Sequence, residues 1–145
     1  MAGRRKGRIL AFQALYAWDI SKTPLSILLN FDWVDDKTRE KFGDADIAFP
    51  QLLITGTIEH ITEIDAKIKE NITNWDLDRL NRVDLAILRL SVYSLLYQKE
   101  LHPSIVIDEA IDISREFGTD DSYRFINAVL DSVRKQQTDT PDNDV

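Results

Sequence analysis

One stretch constrains the fold more than any other: residues 82–97, RVDLAILRLSVYSLLY. Projected at about 100° per residue, Val83, Leu85, Ala86, Ile87, Leu88, Leu90, Val92, Tyr93, Leu95, Leu96 and Tyr97 cover nearly the whole circumference. A helix apolar almost all round cannot leave a face in water cheaply, so it belongs in the middle of a domain. At roughly 16 residues it is too short to span a bilayer, and Asp84 and Arg89 interrupt it. Asp84, Ser91, Ser94 and Gln98 fall on one narrow polar stripe, while Arg89 stands alone on the opposite, apolar side. A lone arginine there has two readings, a buried ion pair or a contact for a partner.

Around this spine the chain reads as helices. Residues 5–20 form a first helix with Leu10, Ala11, Ala14, Leu15 and Trp18 on a core stripe. Ile9, Phe12, Gln13 and Tyr16 lie on its other side with Arg5 and Lys6. Residues 21–46 are the least legible: Pro24 starts a short helix through Leu29, Trp33 anchors a loop, and the charged run 35–46 reads as a solvated connection. With Asp46 as N-cap and Pro50 in the first turn, the stripe Leu53, Ile54, Ile58, Ile61, Ile64, Ile68, Ile72 predicts one long amphipathic helix over 46–72. Residues 74–81 form a capped turn plugged by Trp75, Leu77 and Leu80. His102-Pro103 breaks the central helix. A helix over 104–117 ends at Gly118, expected as a left-handed cap, and a last helix over 122–135 buries Ile126, Val129, Leu130 and Val133. No alternating strand pattern appears. The expected fold is an all-α bundle of about seven helices, one domain over 1–137, with 138–145 as a disordered acidic tail.

The chemistry present is that of binding. With no cysteine and only His60 and His102, neither thiolate nor histidine metal sites can be assembled, and no Gly-rich phosphate loop occurs among five glycines. The carboxylate pairs Asp108/Asp112 and Glu59/Glu63 lie on charged arcs of surface helices, where solvation explains them. A non-enzymatic protein without cofactor, metal or small-molecule substrate is the expectation. No signal peptide or membrane span is visible, which makes a cytoplasmic location the default.

Charge sharpens the reading. The chain has a net charge of −7, yet Arg4, Arg5, Lys6 and Arg8 give the first eight residues +4, leaving −11 on the rest. Basic residues at a helix start oppose the helix dipole, which argues for a functional cluster over 2–8 rather than a solvated face. Tyr16 either packs on a neighbouring helix or offers its ring to a base beside those cations. The Asp121-Ser122…Phe125 corner adds small polar groups and an aromatic at a stripe's edge. Together they form a candidate RNA surface, in competition with a helical scaffold without RNA role.

The segments RRKGRILAFQALYAWD, DRLNRVDLAILR, IDEAI and FGTDDSYRFIN resemble the NusB family of bacterial transcription antitermination factors, covering about half of the chain closely and leaving 21–46 unrecognisable. The resemblance implies two small bundles sharing the central helix. It also implies pairing with NusE, a small-subunit ribosomal protein, and binding of single-stranded boxA RNA so that RNA polymerase resists termination, chiefly on ribosomal RNA operons. Position by position it implies RNA contacts from Arg4, Arg5, Lys6, Arg8, Tyr16, Arg89, Asp121, Ser122 and Phe125, and an acid at Asp84 for basic residues of NusE. Ile9, Ala128 and Ser94 depart from the pattern, which expects an acid, a glycine and a glutamate there. Some relatives form homodimers through the RNA surface, and the resemblance leaves that state open. An accessory domain in ribosomal RNA modification is the alternative function it allows.

Overall fold

Asn81 starts the central helix, its side-chain oxygen accepting from the N–H groups of Val83 at 2.8 Å and Asp84 at 3.1 Å. Two of the four donors orphaned at a helix start are thereby satisfied. The computed structural model describes residues 2–42, 44–73 and 76–138. Its elements are α1 (Ala2–Ser21), α2 (Leu25–Asn30), α3 (Asp36–Lys41), α4 (Asp44–Glu59), α5 (Ile61–Glu70), a 3-10 turn (Leu77–Arg79), α6 (Arg82–Tyr97), α7 (Pro103–Phe117) and α8 (Ser122–Thr138). Among the described residues there is no strand, and no helix is long and apolar enough to cross a membrane. The fold is all-α.

Every residue from Asp84 to Leu95 is buried. The helix packs against α1, α4, α5, α7 and α8, while α1 packs on α4 and α7 on α8, so two small bundles share it. Leu85, Ile87 and Leu88 are at most 1% exposed, and each such side chain contributes about 1.5–3 kcal/mol by leaving water. The polar stripe is buried as well. The Ser94 hydroxyl donates to Gln98 Oε1 at 2.6 Å, which satisfies two polar groups inside the core.

Several expectations need correction. The long helix over 46–72 is two helices, α4 and α5, parted at His60 (φ −107°, ψ 21°). The apolar stripe continues in phase through the bend, so periodicity could not reveal it. The His60 ring stacks on Tyr97 with centroids 4.1 Å apart, and a Cβ on Gly56 would come within 2.3 Å of the Tyr93 ring. The turn is therefore shaped by α6. Asp46 lies inside α4 rather than capping it, and Pro50 falls in the helix interior. The run 35–46 is no plain connection: Asp35 caps α3, accepting from the Thr38 N–H at 2.8 Å. Gly118 is extended (φ −94°, ψ −170°), not left-handed. A glycine is needed there for a different reason, because a Cβ would meet Ser122 Oγ at 2.6 Å and the Ser114 carbonyl at 2.8 Å. Trp75 and most of the acidic tail (139–145) lie outside the described residues, and α8 reaches Thr138.

Candidate nucleic-acid interface

The basic start is built into α1, and most of it is already engaged. Arg4 lies 4.2 Å over the Phe49 ring, and Arg5 Nη1 donates to Asp112 Oδ2 at 3.3 Å. Arg8 is 8% exposed, with Nη1 3.7 Å from Glu109 Oε1. Burial pulls the Arg8 guanidinium below its ordinary value, and Glu109 works against that shift. Lys6 is exposed and has no ion-pair partner among the described residues. Three of the four cations thus contact α4 or α7, and the repulsion that Arg4 exerts on Arg8 is opposed by Glu109.

Tyr16 is 38% exposed on the stripe Lys6–Ile9–Gln13–Tyr16, where i, i+3 and i+4 steps put side chains in a row. One turn earlier Phe12 is buried against Phe117, with ring centroids 5.2 Å apart. That contact ties α1 to the last residue of α7, immediately before the corner carrying Asp121, Ser122 and Phe125.

At the corner the three residues differ in kind. Asp121 is exposed and Phe125 half-buried. Ser122 is 2% exposed; its Oγ accepts from the Thr119 N–H at 2.9 Å and lies 3.0 Å from Thr119 Oγ1, so it shapes the turn into α8. Beside it sits Asp84, 7% exposed, with Oδ1 lacking a hydrogen-bond partner among the described residues. Burial raises the Asp84 carboxyl above the usual carboxylate value, and the Ser122 hydroxyl opposes the rise. Asp84, Asp121, Ser122 and Phe125 line one open hollow of about 370 Å³ together with Arg79 and Asn81. The residues implied separately for a protein partner and for RNA therefore meet at one place.

Arg89 falls on the other side of α6 and is not part of this surface. It is 8% exposed. Nε donates to Asp65 Oδ1 at 2.9 Å and Nη2 to Asp65 Oδ2 at 3.0 Å. Nη1 lies 3.7 Å from Asp19, which also takes Arg82 Nη1 at 3.0 Å. The guanidinium stands 5.6 Å from the Trp18 ring centroid. This arginine is ion-paired: every one of its donor nitrogens faces an acid of α1 or α5.

Sequence reasoning missed Arg79 and Asn81, although a polar residue directly before a helix start is itself a capping signal. It also passed over Arg115 and Arg124, which flank the Tyr123 ring at 4.5 and 5.5 Å beside the corner. Among the described residues no group of three His, Cys, Asp or Glu is arranged to hold a metal ion.

A family model described as NusB family matches residues 5–135. The chain is 59% identical over 135 residues to the transcription antitermination protein NusB of Treponema denticola, covering 92% of this chain and 97% of that one. Its fold is similar to the solved structure of T. maritima NusB, with TM-score 0.81 and 32% identity over 92% of this chain and 91% of the other. It is also similar, with TM-score 0.80 and 26% identity, to a chain in a crystal structure of antitermination factors NusB and NusE in complex with dsRNA, covering 94% and 98% of the two chains.

Proposed function

This chain belongs to the NusB family, and from that premise we propose that it is a non-enzymatic, cytoplasmic antitermination factor. It pairs with NusE, binds single-stranded boxA RNA, and helps RNA polymerase resist termination, chiefly on ribosomal RNA operons. The observation that carries this reading is the hollow at Asp84. A carboxylate 7% exposed, with one oxygen unpartnered among the described residues and lining an open cavity, is a feature that a cation brought by a partner would complement. A basic residue of NusE supplies one. We assign RNA contacts to Arg4, Arg5, Lys6, Tyr16, Asp121 and Phe125, whose side chains reach the surface. Arg8, Ser122 and Arg89 hold the scaffold beneath them.

A titration of labelled boxA RNA, with and without NusE, tests the function. Tighter binding of boxA than of a scrambled RNA, enhanced by NusE, is the expected result. Equal affinity for the scrambled RNA with no effect of NusE would overturn it.

A further inference from the structure

A second cavity, of about 400 Å³, opens between α1 and the stretch from Trp33 through α3 to Phe42. Lys6, Ile9 and Gln13 of α1 form one wall; Trp33, Asp35 and Lys41 stand opposite. Of its lining residues only Lys6 is used by the function proposed above; Trp33 and Lys41 are not.

The cavity holds a fixed aromatic plate. Trp33 is 39% exposed, yet it is not a loose side chain. Its indole N–H donates to the Leu28 carbonyl at 3.1 Å, and its ring leans on Phe31 with centroids 5.6 Å apart. Phe31 in turn is 1% exposed and held at φ 57°, a left-handed conformation that a bulky residue keeps only where packing enforces it. A ring already immobilised loses little conformational entropy on stacking against a ligand.

Around the plate the described lining residues carry a net positive charge, two lysines against one acid. Lys6 and Lys41 are exposed and have no ion-pair partner among the described residues. Among the described residues Asp35 is the one acid on the wall, and its two oxygens accept from the Thr38 N–H and hydroxyl at 2.8 and 3.0 Å. Those bonds hold its carboxyl below the usual carboxylate range, so Asp35 keeps its negative charge, but both oxygens are turned to the start of α3 and the two lysines still outnumber it. Two unpaired ammonium groups flanking a rigid indole match a nucleotide: base on ring, phosphates on lysines. The cavity is also continuous with the surface already described, because Lys6, Ile9 and Gln13 lie on the same α1 stripe as Tyr16.

We infer that this cavity is a further single-stranded RNA subsite, in which one unpaired base outside the boxA core stacks on Trp33 while Lys6 and Lys41 hold the adjoining phosphates. The inference rests on the RNA-binding reading above.

The test uses the full chain with NusE and three RNAs: the boxA core, and the same core with an unpaired extension at its 5′ or its 3′ end. One extension should tighten binding by roughly 5-fold or more, as base stacking on an aromatic predicts. Trp33→Leu, which keeps an apolar contact to Phe31, and Lys41→Gln, on an exposed helical position, should each remove that gain and leave core affinity unchanged. Lys41→Gln should also flatten the salt dependence on the extended RNA by about 0.7 log units of slope. The subsite is wrong if neither extension helps, if the gain survives both variants, or if core and extended RNAs weaken equally. Variants that lose NusE rather than the extension gain would make the cavity a protein-docking site and overturn the inference. Failure to bind even the core would instead remove the antitermination reading, and the subsite with it.

Discussion

Arg89 of α6 holds Asp65 of α5 in a two-pronged ion pair, Nε to Oδ1 at 2.9 Å and Nη2 to Oδ2 at 3.0 Å. The planar guanidinium fork matches the carboxylate, so both bonds form without strain. Asp19 of α1 lies 3.7 Å from the same guanidinium and also receives Arg82. Arg82 reaches back to the Leu77 and Asp78 carbonyls at 3.0 and 2.8 Å. One polar chain therefore joins α1, α5, the 3-10 turn and α6 at the edge of the core.

Removing Arg89 leaves the largely buried Asp65 carboxylate without its cation, while Asp19 keeps Arg82. Arg89→Met is expected to lower stability by about 2–4 kcal/mol, read as a lower urea midpoint at unchanged slope. RNA affinity measured well below the unfolding transition should stay at the wild-type value. A selective loss of RNA binding with unchanged stability would contradict the buried-pair assignment.

The basic start divides into two kinds of cation. Lys6→Ala should leave the melting temperature unaltered and reduce the salt dependence of RNA binding by about 0.7 log units of slope, as for one lost single-strand phosphate contact. Arg8→Ala removes the cation 3.7 Å from a buried Glu109 oxygen that has no hydrogen-bond partner among the described residues, and is expected to destabilise by roughly 1–3 kcal/mol. Thermal melts and salt titrations of the two variants separate the roles.

Asp84 should leave a signature in pH. Its carboxyl is raised from the ordinary value of 3.8 by burial, so between 3.8 and its folded value the native state holds more protons than the unfolded chain. Stability contributed at this site therefore rises as pH falls through that window, and the cost of the buried charge is fully present above it. Against Asp84→Asn, wild type is expected to gain relative stability on acidification from neutral pH, measured by denaturant unfolding of both proteins. NusE pairing should run the opposite way, weakening on acidification in wild type and weak at all pH in the variant. A constant stability difference across the range would sink the assignment.

Gly56 faces Tyr93 so closely that a Cβ would sit 2.3 Å from the phenol ring. Gly56→Ala should cost about 1–3 kcal/mol through forced repacking. Combining it with Tyr93→Leu, which shortens the opposing side chain, should recover part of that loss in a double-mutant cycle. Additive losses would show that the α4–α6 approach is not limited by this pair.

How much could be read from the residues alone differs by kind of feature. The central helix, the all-α class and the amphipathic helices α7 and α8 were legible, because burial of a helical face is a local rule that repeats every turn. The residues that carry the family likeness were legible for the same reason of locality. The partner of Arg89 was not, since Asp65 lies 24 residues away and nothing in a periodic pattern says which helices meet. The bend at His60 was hidden because the apolar stripe keeps phase across it. The gathering of Asp84, Asp121, Ser122 and Phe125 into one hollow, and of Lys6, Trp33 and Lys41 into another, arises only when α6 meets α8 and α1 meets the α2–α3 segment. Periodicity decides which side of each helix avoids water; the tertiary structure decides what stands against it, because ion pairs and cavities depend on distances between elements that the chain order does not contain.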